Sequence, residues 1–378
     1  MADSPQVLIL GGYGNTGRII ADLLLTFTDV SVTIAGRNAS KAEQYALELG
    51  RKFTPTRVTW KVADAADAIS LDRVLLGVNL VIVASSTSSN THNVARAVLR
   101  AECDYLDINY ARAKLKILED LRGEIETAGR CFVTDGGFHP GLPAAMIRAA
   151  AEQMDELIEA KVSSVISINW SKLFFSNETM LEFVQELADF STKELINGEW
   201  QEAGWGKMVR HVDFGGKFGL RNVYPMWLEE LSALPELIPS LKSSGFYVGG
   251  FNWFVDYFIM PLGWMWTRLA PIYGARPVSK MLVWGLKKFS SPPYGTVLHL
   301  QSSGISNGKK CNYELRIAHE SGYYLTAAPV VACVIQLLKG AGRKPGLWFQ
   351  AHLMNPQQML TDLKKMEIVI ESHESDSI

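Results

Sequence analysis

The sequence lacks most of what marks a secreted, metal-stapled or nucleic-acid-binding chain. Its 378 residues contain four cysteines, Cys103, Cys131, Cys311 and Cys333, with no C-x-x-C spacing. In a chain of this length that pattern reads as reduced thiols rather than as bridges or a zinc site. The seven histidines lack ligand spacing as well, so no metal site is expected. There is no excess of either charge: 37 basic and 39 acidic residues leave a net charge of −2. That argues against a nucleic-acid partner, because such affinity rests on neutralising phosphates. Residues Met1–Pro5 include Asp3 and no charged-then-apolar leader, so no signal peptide is expected and the cytoplasm is the expected location. A composition of 48% hydrophobic and 20% charged residues excludes a disordered or collagen-like chain. The length favours two domains with a sizeable core.

What is present begins with an alternation of strands and helices. Val7–Leu10, Ser31–Ala35, Val58–Val62, Leu80–Ala84, Tyr105–Ile108 and Cys131–Asp135 are apolar or β-branched runs. Between them Arg18–Phe27, Ser40–Leu49, Asn93–Ala101 and Ala113–Ala128 have helical spacing, with Asn38 placed as an N-cap. Strands separated by helix-length segments imply right-handed crossovers and a doubly wound parallel sheet. After Pro140–Pro143 the pattern changes. Lys161–Asn169, Lys207–Phe214, Phe218–Val223, Val297–Ser303 and Cys311–His319 read as strands of a mostly antiparallel α+β domain, with a helix over Asn177–Phe190. Apolar helices over Ala327–Gly340 and Pro356–Lys365 are placed to return to the first domain. The expected division is therefore residues 1–140 with about 326–371 as a doubly wound α/β domain, 141–325 as a mixed α+β domain, and 372–378 as a polar, frayed tail.

Gly12-Tyr13-Gly14-Asn15-Thr16-Gly17 fits G-x-G-x-x-G. The pattern gains specificity because it follows a strand and opens a helix at the start of the βαβ series. Gly12 is assigned the tight turn, Gly14 the close approach to a pyrophosphate, and Gly17 the close packing of helix on strand. The helix N-terminus then offers unpaired N–H groups to phosphates. The end of the second strand selects the dinucleotide. An NAD site needs a carboxylate there for the ribose 2′-hydroxyl, but this chain reads Ala35-Gly36-Arg37-Asn38. The Arg37 guanidinium suits a 2′-phosphate, and Lys41 adds a second positive charge, so NADP(H) is expected. Asp64, after the third strand, either meets the adenine or caps a turn. Ser85, Ser86 and Thr87 leave the carboxyl end of the fourth strand, where open α/β sheets bind ligands, and are expected beside the ribose and nicotinamide.

Taken together, GGYGNTG, IAGRN, the YLDI strand at Tyr105–Ile108 and Gly137-Phe138-His139-Pro140-Gly141-Leu142-Pro143 resemble the saccharopine dehydrogenase-like family. The resemblance covers about the first 145 residues and implies an NADP-binding Rossmann domain, an inserted substrate domain and terminal helices returning to the first. It also implies hydride transfer to or from a C–N bond of a small-molecule substrate. This chain has His139 where members often carry an acidic residue, and Asn109-Tyr110-Ala111 where they often have Gly-Glu. Both changes alter the expected lining of the cleft between domains.

Imine reduction needs a proton for nitrogen. His139 is the first candidate donor, since imidazole titrates near neutrality; a hinge histidine bonded to backbone is the competing reading. Asp107 and Tyr110 are second-choice site residues. Tyr110 and Lys114 also form a Y-x-x-x-K, which is read as chance spacing. The turn looks like those of NmrA-type proteins, which sense NADP without catalysis but lack a long inserted domain. A non-catalytic NADP-binding sensor or scaffold is accordingly the alternative to an enzyme. Finally, Phe246–Trp266 holds nine aromatics and one charge, Asp256, and Arg268, Arg276, Lys280, Lys287 and Lys288 follow. Segment 246–288 is read either as a peripheral membrane contact or as a buried wall or homodimer interface.

Overall fold

The computed structural model describes residues 4–170, 191–204, 209–259, 261–262, 271–340 and 342–376. The chain divides into two compact units. One is Met1–Gly141 with Thr326–Met366, the other Leu142–Leu325 with Glu367–Ile378.

The first unit is built on strands β1 (Gln6–Leu10), β2 (Ser31–Gly36), β3 (Val58–Val62), β4 (Leu80–Val83), β5 (Asp104–Asp107), β6 (Cys131–Thr134) and β15 (Gly346–Phe349). They form a seven-stranded sheet in the order β15-β6-β5-β4-β1-β2-β3, with every pair parallel. The near-continuous apolar runs of β1 and β4 are what a strand covered on both faces requires. Helices α1 (Asn15–Phe27), α2 (Ala39–Lys52), α3 (Ala68–Leu75), α4 (Thr91–Arg100), α5 (Arg112–Asp120) and α6 (Arg122–Thr127) make the crossovers. The Asn38 side chain caps α2, accepting from the Lys41 N–H at 2.9 Å. Strand order reverses between β4 and β1, so the crevice outside their carboxyl ends is the topological switch point at which such sheets bind ligands.

Two elements of this unit escape the sequence pattern. Helix α3 has only eight residues, and β15 is a four-residue strand that joins the edge of β6 from far along the chain. The returning segment is fastened by Arg343, whose Nε lies 2.7 Å from Asp104 Oδ2.

The second unit holds α7 (Pro143–Ala151) and strands β7 (Glu156–Ser167), β8 (Lys193–Ile196), β9 (Glu199–Glu202), β10 (Arg210–Asp213), β11 (Leu220–Pro225), β12 (Ser243–Gly249), β13 (Gly295–Ser306), β14 (Lys309–His319) and β16 (Val369–Asp376). They form a nine-stranded sheet along β10-β11-β12-β7-β13-β14-β16, with the β8–β9 hairpin attached to β12. Within this sheet only β12 and β7 pair in parallel among the described strands. The expected mixed sheet is present, with two differences. The polar tail does not fray: β16 pairs antiparallel with β14 from Val369 to Asp376. An edge strand with one ladder partner needs no apolar sequence, because its outer side faces water. The aromatic segment, in turn, does not act as one piece. Phe246, Tyr247 and Val248 belong to an inner strand and are buried. The expected helix at Asn177–Phe190 lies outside the described residues. No helix among the described residues is long and apolar enough to cross a membrane.

Candidate functional site

The glycine turn joins β1 to α1. The residue that needs a left-handed backbone is Gly11, at φ +86°, one position before the expected Gly12. A Cβ on Gly11 would lie 2.7 Å from Ser85 Cβ and 2.8 Å from the Ala84 carbonyl oxygen. The absence of that atom lets the loop after β4 lie directly against the turn. Gly17 fills the packing role expected of it: a Cβ there would meet the Gly11 carbonyl oxygen at 2.3 Å. No side chain caps α1, and its first turn has no acidic residue. An uncapped, carboxylate-free helix start beside a turn without side chains fits the pyrophosphate of a dinucleotide. Gly14 is the cap residue, and a Cβ on it would meet only the Gly11 carbonyl oxygen within 3.5 Å.

Tyr13 is the part of the motif that spacing alone does not explain. Its hydroxyl accepts a hydrogen bond from the Asn38 N–H at 3.0 Å, and Arg18 Nε donates to its carbonyl oxygen at 3.1 Å. The ring lies across the end of β2, where a Cβ on Gly36 would be 2.5 Å from Tyr13 Cε1. Gly36 thus has no room for a carboxylate side chain while Tyr13 is in place. Arg37 and Lys41, immediately beyond, are exposed. Asn38 is committed to capping α2. Asp64 caps its own turn, with Oδ1 accepting from the Ala66 N–H at 3.0 Å. Ser85 Oγ and Thr87 Oγ1 are 3.1 Å apart, and Ser85, Ser86 and Thr87 are all half-buried. Asn15 is exposed and Thr16 half-buried in the first turn of α1.

A second cluster lies at the carboxyl ends of β5 and β6. Lys114 on α5 is fully buried; its Nζ lies 2.8 Å from Asp107 Oδ1 and 2.6 Å from Asp135 Oδ1, and it also donates to the Asn109 carbonyl. Thr134 Oγ1 donates to Asp107 Oδ2 at 3.0 Å. Asp107, a second-choice site residue in the sequence, is buried and makes these contacts. A buried carboxylate without partners would be costly, and here the Lys114 ammonium and the Thr134 hydroxyl supply them. Burial pushes the Lys114 ammonium down, but the two carboxylates outweigh it and the net shift is upward. Burial pushes the Asp135 carboxyl up, and Lys114 only partly offsets it. The Lys of the Y-x-x-x-K spacing is therefore committed elsewhere.

The chain then makes the turn 136–141. Gly136 N–H donates to the Asp107 carbonyl at 2.8 Å. The buried Gln350 amide brackets Gly137, accepting from its N–H at 3.3 Å and donating to its carbonyl at 3.1 Å. His139 sits on this turn, followed by a cis peptide to Pro140. Burial lowers its pKa to about 4, so the imidazole is neutral at pH 7. Tyr110 is half-buried beyond β5. Gly11, Asp135 and Gln350 escape the sequence reading as site residues, and Lys114 enters it only through the Y-x-x-x-K spacing that is read as chance.

Residues 7–133 match the family model of the saccharopine dehydrogenase NADP binding domain. Carboxyaminopropylagmatine dehydrogenase from Synechocystis sp. is 21% identical over 394 residues, covering 96% of each protein. The NADP(+)-dependent, L-glutamate-forming saccharopine dehydrogenase of Saccharomyces cerevisiae is 29% identical over 164 residues, which span 43% of this chain and 33% of that protein. The solved apo structure of the L-Glu-forming saccharopine dehydrogenase from Saccharomyces cerevisiae superposes with a TM-score of 0.71 at 16% identity, over 98% of this chain and all of that one, and so shares the fold. Over its first third the chain is thus similar to the NADP binding domain of saccharopine dehydrogenase, and over its whole length it shares that enzyme's fold.

Proposed function

We propose that the protein is an NADP(H)-dependent oxidoreductase that transfers hydride to or from a C–N bond of a small-molecule substrate. The observation that carries this reading is the closed end of β2. Tyr13 leaves position 36 no room for a carboxylate, while Arg37 and Lys41 stand exposed beside an uncapped helix start. That arrangement disfavours a bare ribose diol and favours a 2′-phosphate. The two relatives described above are named as dehydrogenases, one of saccharopine and one of an agmatine derivative, which supports a C–N substrate.

Bound NADP(H) would supply the hydride, and the chain's own residues would bind, orient and handle protons. The Gly12–Gly17 turn would hold the pyrophosphate, and Ser85, Ser86 and Thr87 would line its far side. With its pKa near 4, His139 holds no spare proton at neutral pH. It is suited to accepting a hydrogen bond from an iminium N–H that arrives already protonated, rather than to acting as an imidazolium acid. Asp107, Lys114 and Gln350 act as positioning residues, fixing the turn that carries His139. Tyr110, half-buried beyond β5, offers a further hydroxyl at this end of the sheet.

A second reading, a non-catalytic NADP sensor, is favoured by one feature: Asp107 is sequestered and His139 is neutral, which leaves little proton-handling capacity. Titration calorimetry with NADPH and NADH tests the cofactor assignment, and NADPH oxidation across a panel of imines and keto-acid plus amine pairs tests the chemistry. Tight NADPH binding with no turnover on any imine favours the sensor. An absence of heat with either nucleotide removes both readings.

A further inference from the structure

In the second unit the chain from Phe251 to Ile259 packs against the helix Pro271–Lys288. The inner contact is ordinary: Val255, Ile259, Leu282 and Leu286 form a small core, and a Cβ on Gly285 would lie 2.8 Å from Phe254 Cδ1. The outer side is not. Trp253 is 54% exposed, Tyr257 58%, Phe258 57% and Trp284 53%. Trp253, Phe258 and Trp284 are not scattered rings. Trp253 lies 5.9 Å from Phe258 and 5.1 Å from Phe289, and Trp284 lies 5.5 Å from both Phe254 and Phe289. The result is a connected aromatic slab, fixed from beneath and open above. Lys280, Lys287 and Lys288 are exposed on the helix at i, i+7 and i+8, with Trp284 at i+4 between them, so cations and ring share one face. No Asp or Glu occurs from Tyr257 to Tyr313, and Asp256 itself is buried.

We propose that this slab is a lipid-docking surface that seats the protein peripherally on an anionic membrane or similar lipid interface. Contiguous exposed apolar surface on a folded protein marks a binding site. Tryptophan and tyrosine rings settle at the headgroup level, while lysines around them meet anionic lipid. A second copy of the chain is a poor occupant: apposing two such faces would bring the lysines together with no carboxylate in the segment to offset them. The proposal is for attachment at the membrane surface; no described helix is long and apolar enough to cross a bilayer.

The test uses the full chain in flotation with vesicles of phosphatidylcholine alone and of phosphatidylcholine mixed with phosphatidylserine. Binding is expected only to the anionic vesicles and is expected to fall as salt is raised. Each lysine near the surface changes partitioning about fivefold, so the triple variant Lys280→Gln, Lys287→Gln, Lys288→Gln should bind about 100-fold more weakly. Trp253→Ala with Trp284→Ala should also lose binding, while melting temperature and NADPH binding stay as in the unmodified protein. The lysine variant alters only exposed groups and serves if the tryptophan variant fails to fold. Failure of the unmodified protein to float with anionic vesicles overturns the proposal. So does binding that neither variant reduces. A lipid-free dimer that the tryptophan changes dissolve would assign the surface to self-association instead.

Discussion

Replacing Lys114 with methionine keeps most of the side-chain volume but leaves two buried carboxylates, Asp107 and Asp135, without their cation. Both partners lie within 2.8 Å of the ammonium, and none of the three side chains is more than 3% exposed. Removing one member of a buried pair costs about 3–5 kcal/mol, because the remaining charge keeps its desolvation penalty. The affected unit has about 180 residues, for which an unfolding entropy of about 2.1 cal/mol/K per residue gives roughly 0.4 kcal/mol/K. The transition of that unit should therefore fall by about 8–13 °C. The loss should depend on pH with a definite sign. Burial already holds the Asp135 carboxyl above its ordinary value and Lys114 opposes that shift, so without the cation it rises further; the stability linked to it is present in acid and disappears as pH rises through the folded value. The deficit should be smaller at pH 5 than at pH 8. Adding Asp107→Asn and Asp135→Asn to Lys114→Met should recover much of the loss, because no buried charge then remains. Thermal unfolding of the three proteins, monitored with and without NADPH, reads each quantity. A Lys114→Met protein that melts within about 2 °C of the original at pH 8 would refute the account of the cluster.

Arg37→Ala should weaken NADPH binding about 10–100-fold, the worth of a lost charge-assisted pair, and leave NADH binding unchanged; calorimetry with both nucleotides checks this. Gly36→Asp should impair the turn, because its Cβ would sit 2.5 Å from Tyr13 Cε1. The double change Tyr13→Ala, Gly36→Asp should bind NADH better than the single one does, as read by quenching of intrinsic fluorescence. Asp256 in the second unit is buried, which lifts its carboxyl from 3.8 to about 7, with the Phe251 N–H and Arg221 opposing the shift. Its contribution to stability is therefore present below pH 4 and is lost as pH rises through about 7. Asp256→Asn should flatten that slope in urea unfolding at pH 5 and pH 8.

Short-range signals carried much of the first unit. The capping role of Asn38, the bounds of β3 at Val58–Val62 and the helix Pro356–Lys365 all rest on patterns within one or two turns of chain, and the structure has them as read. Strand β12 and the polar strand β16 were not legible, because their state depends on partners over 80 and more than 50 residues away respectively, β7 and β14. A polar run is stable as a strand when a neighbour supplies its ladder, and nothing local records that neighbour.

The site divides along the same line. By themselves the residues determined the dinucleotide turn and the basic end of β2, since glycine spacing and the lack of a carboxylate at position 36 are properties of contiguous chain. Tertiary structure alone decided that Tyr13 closes that position, that Asp107 and Asp135 share the buried Lys114 ammonium, and that Gln350 holds the turn bearing His139. It also split one aromatic stretch into a buried strand and an exposed slab. Burial and ion pairing are set by which distant segments meet, and folding brings them together through contacts that no window of sequence contains.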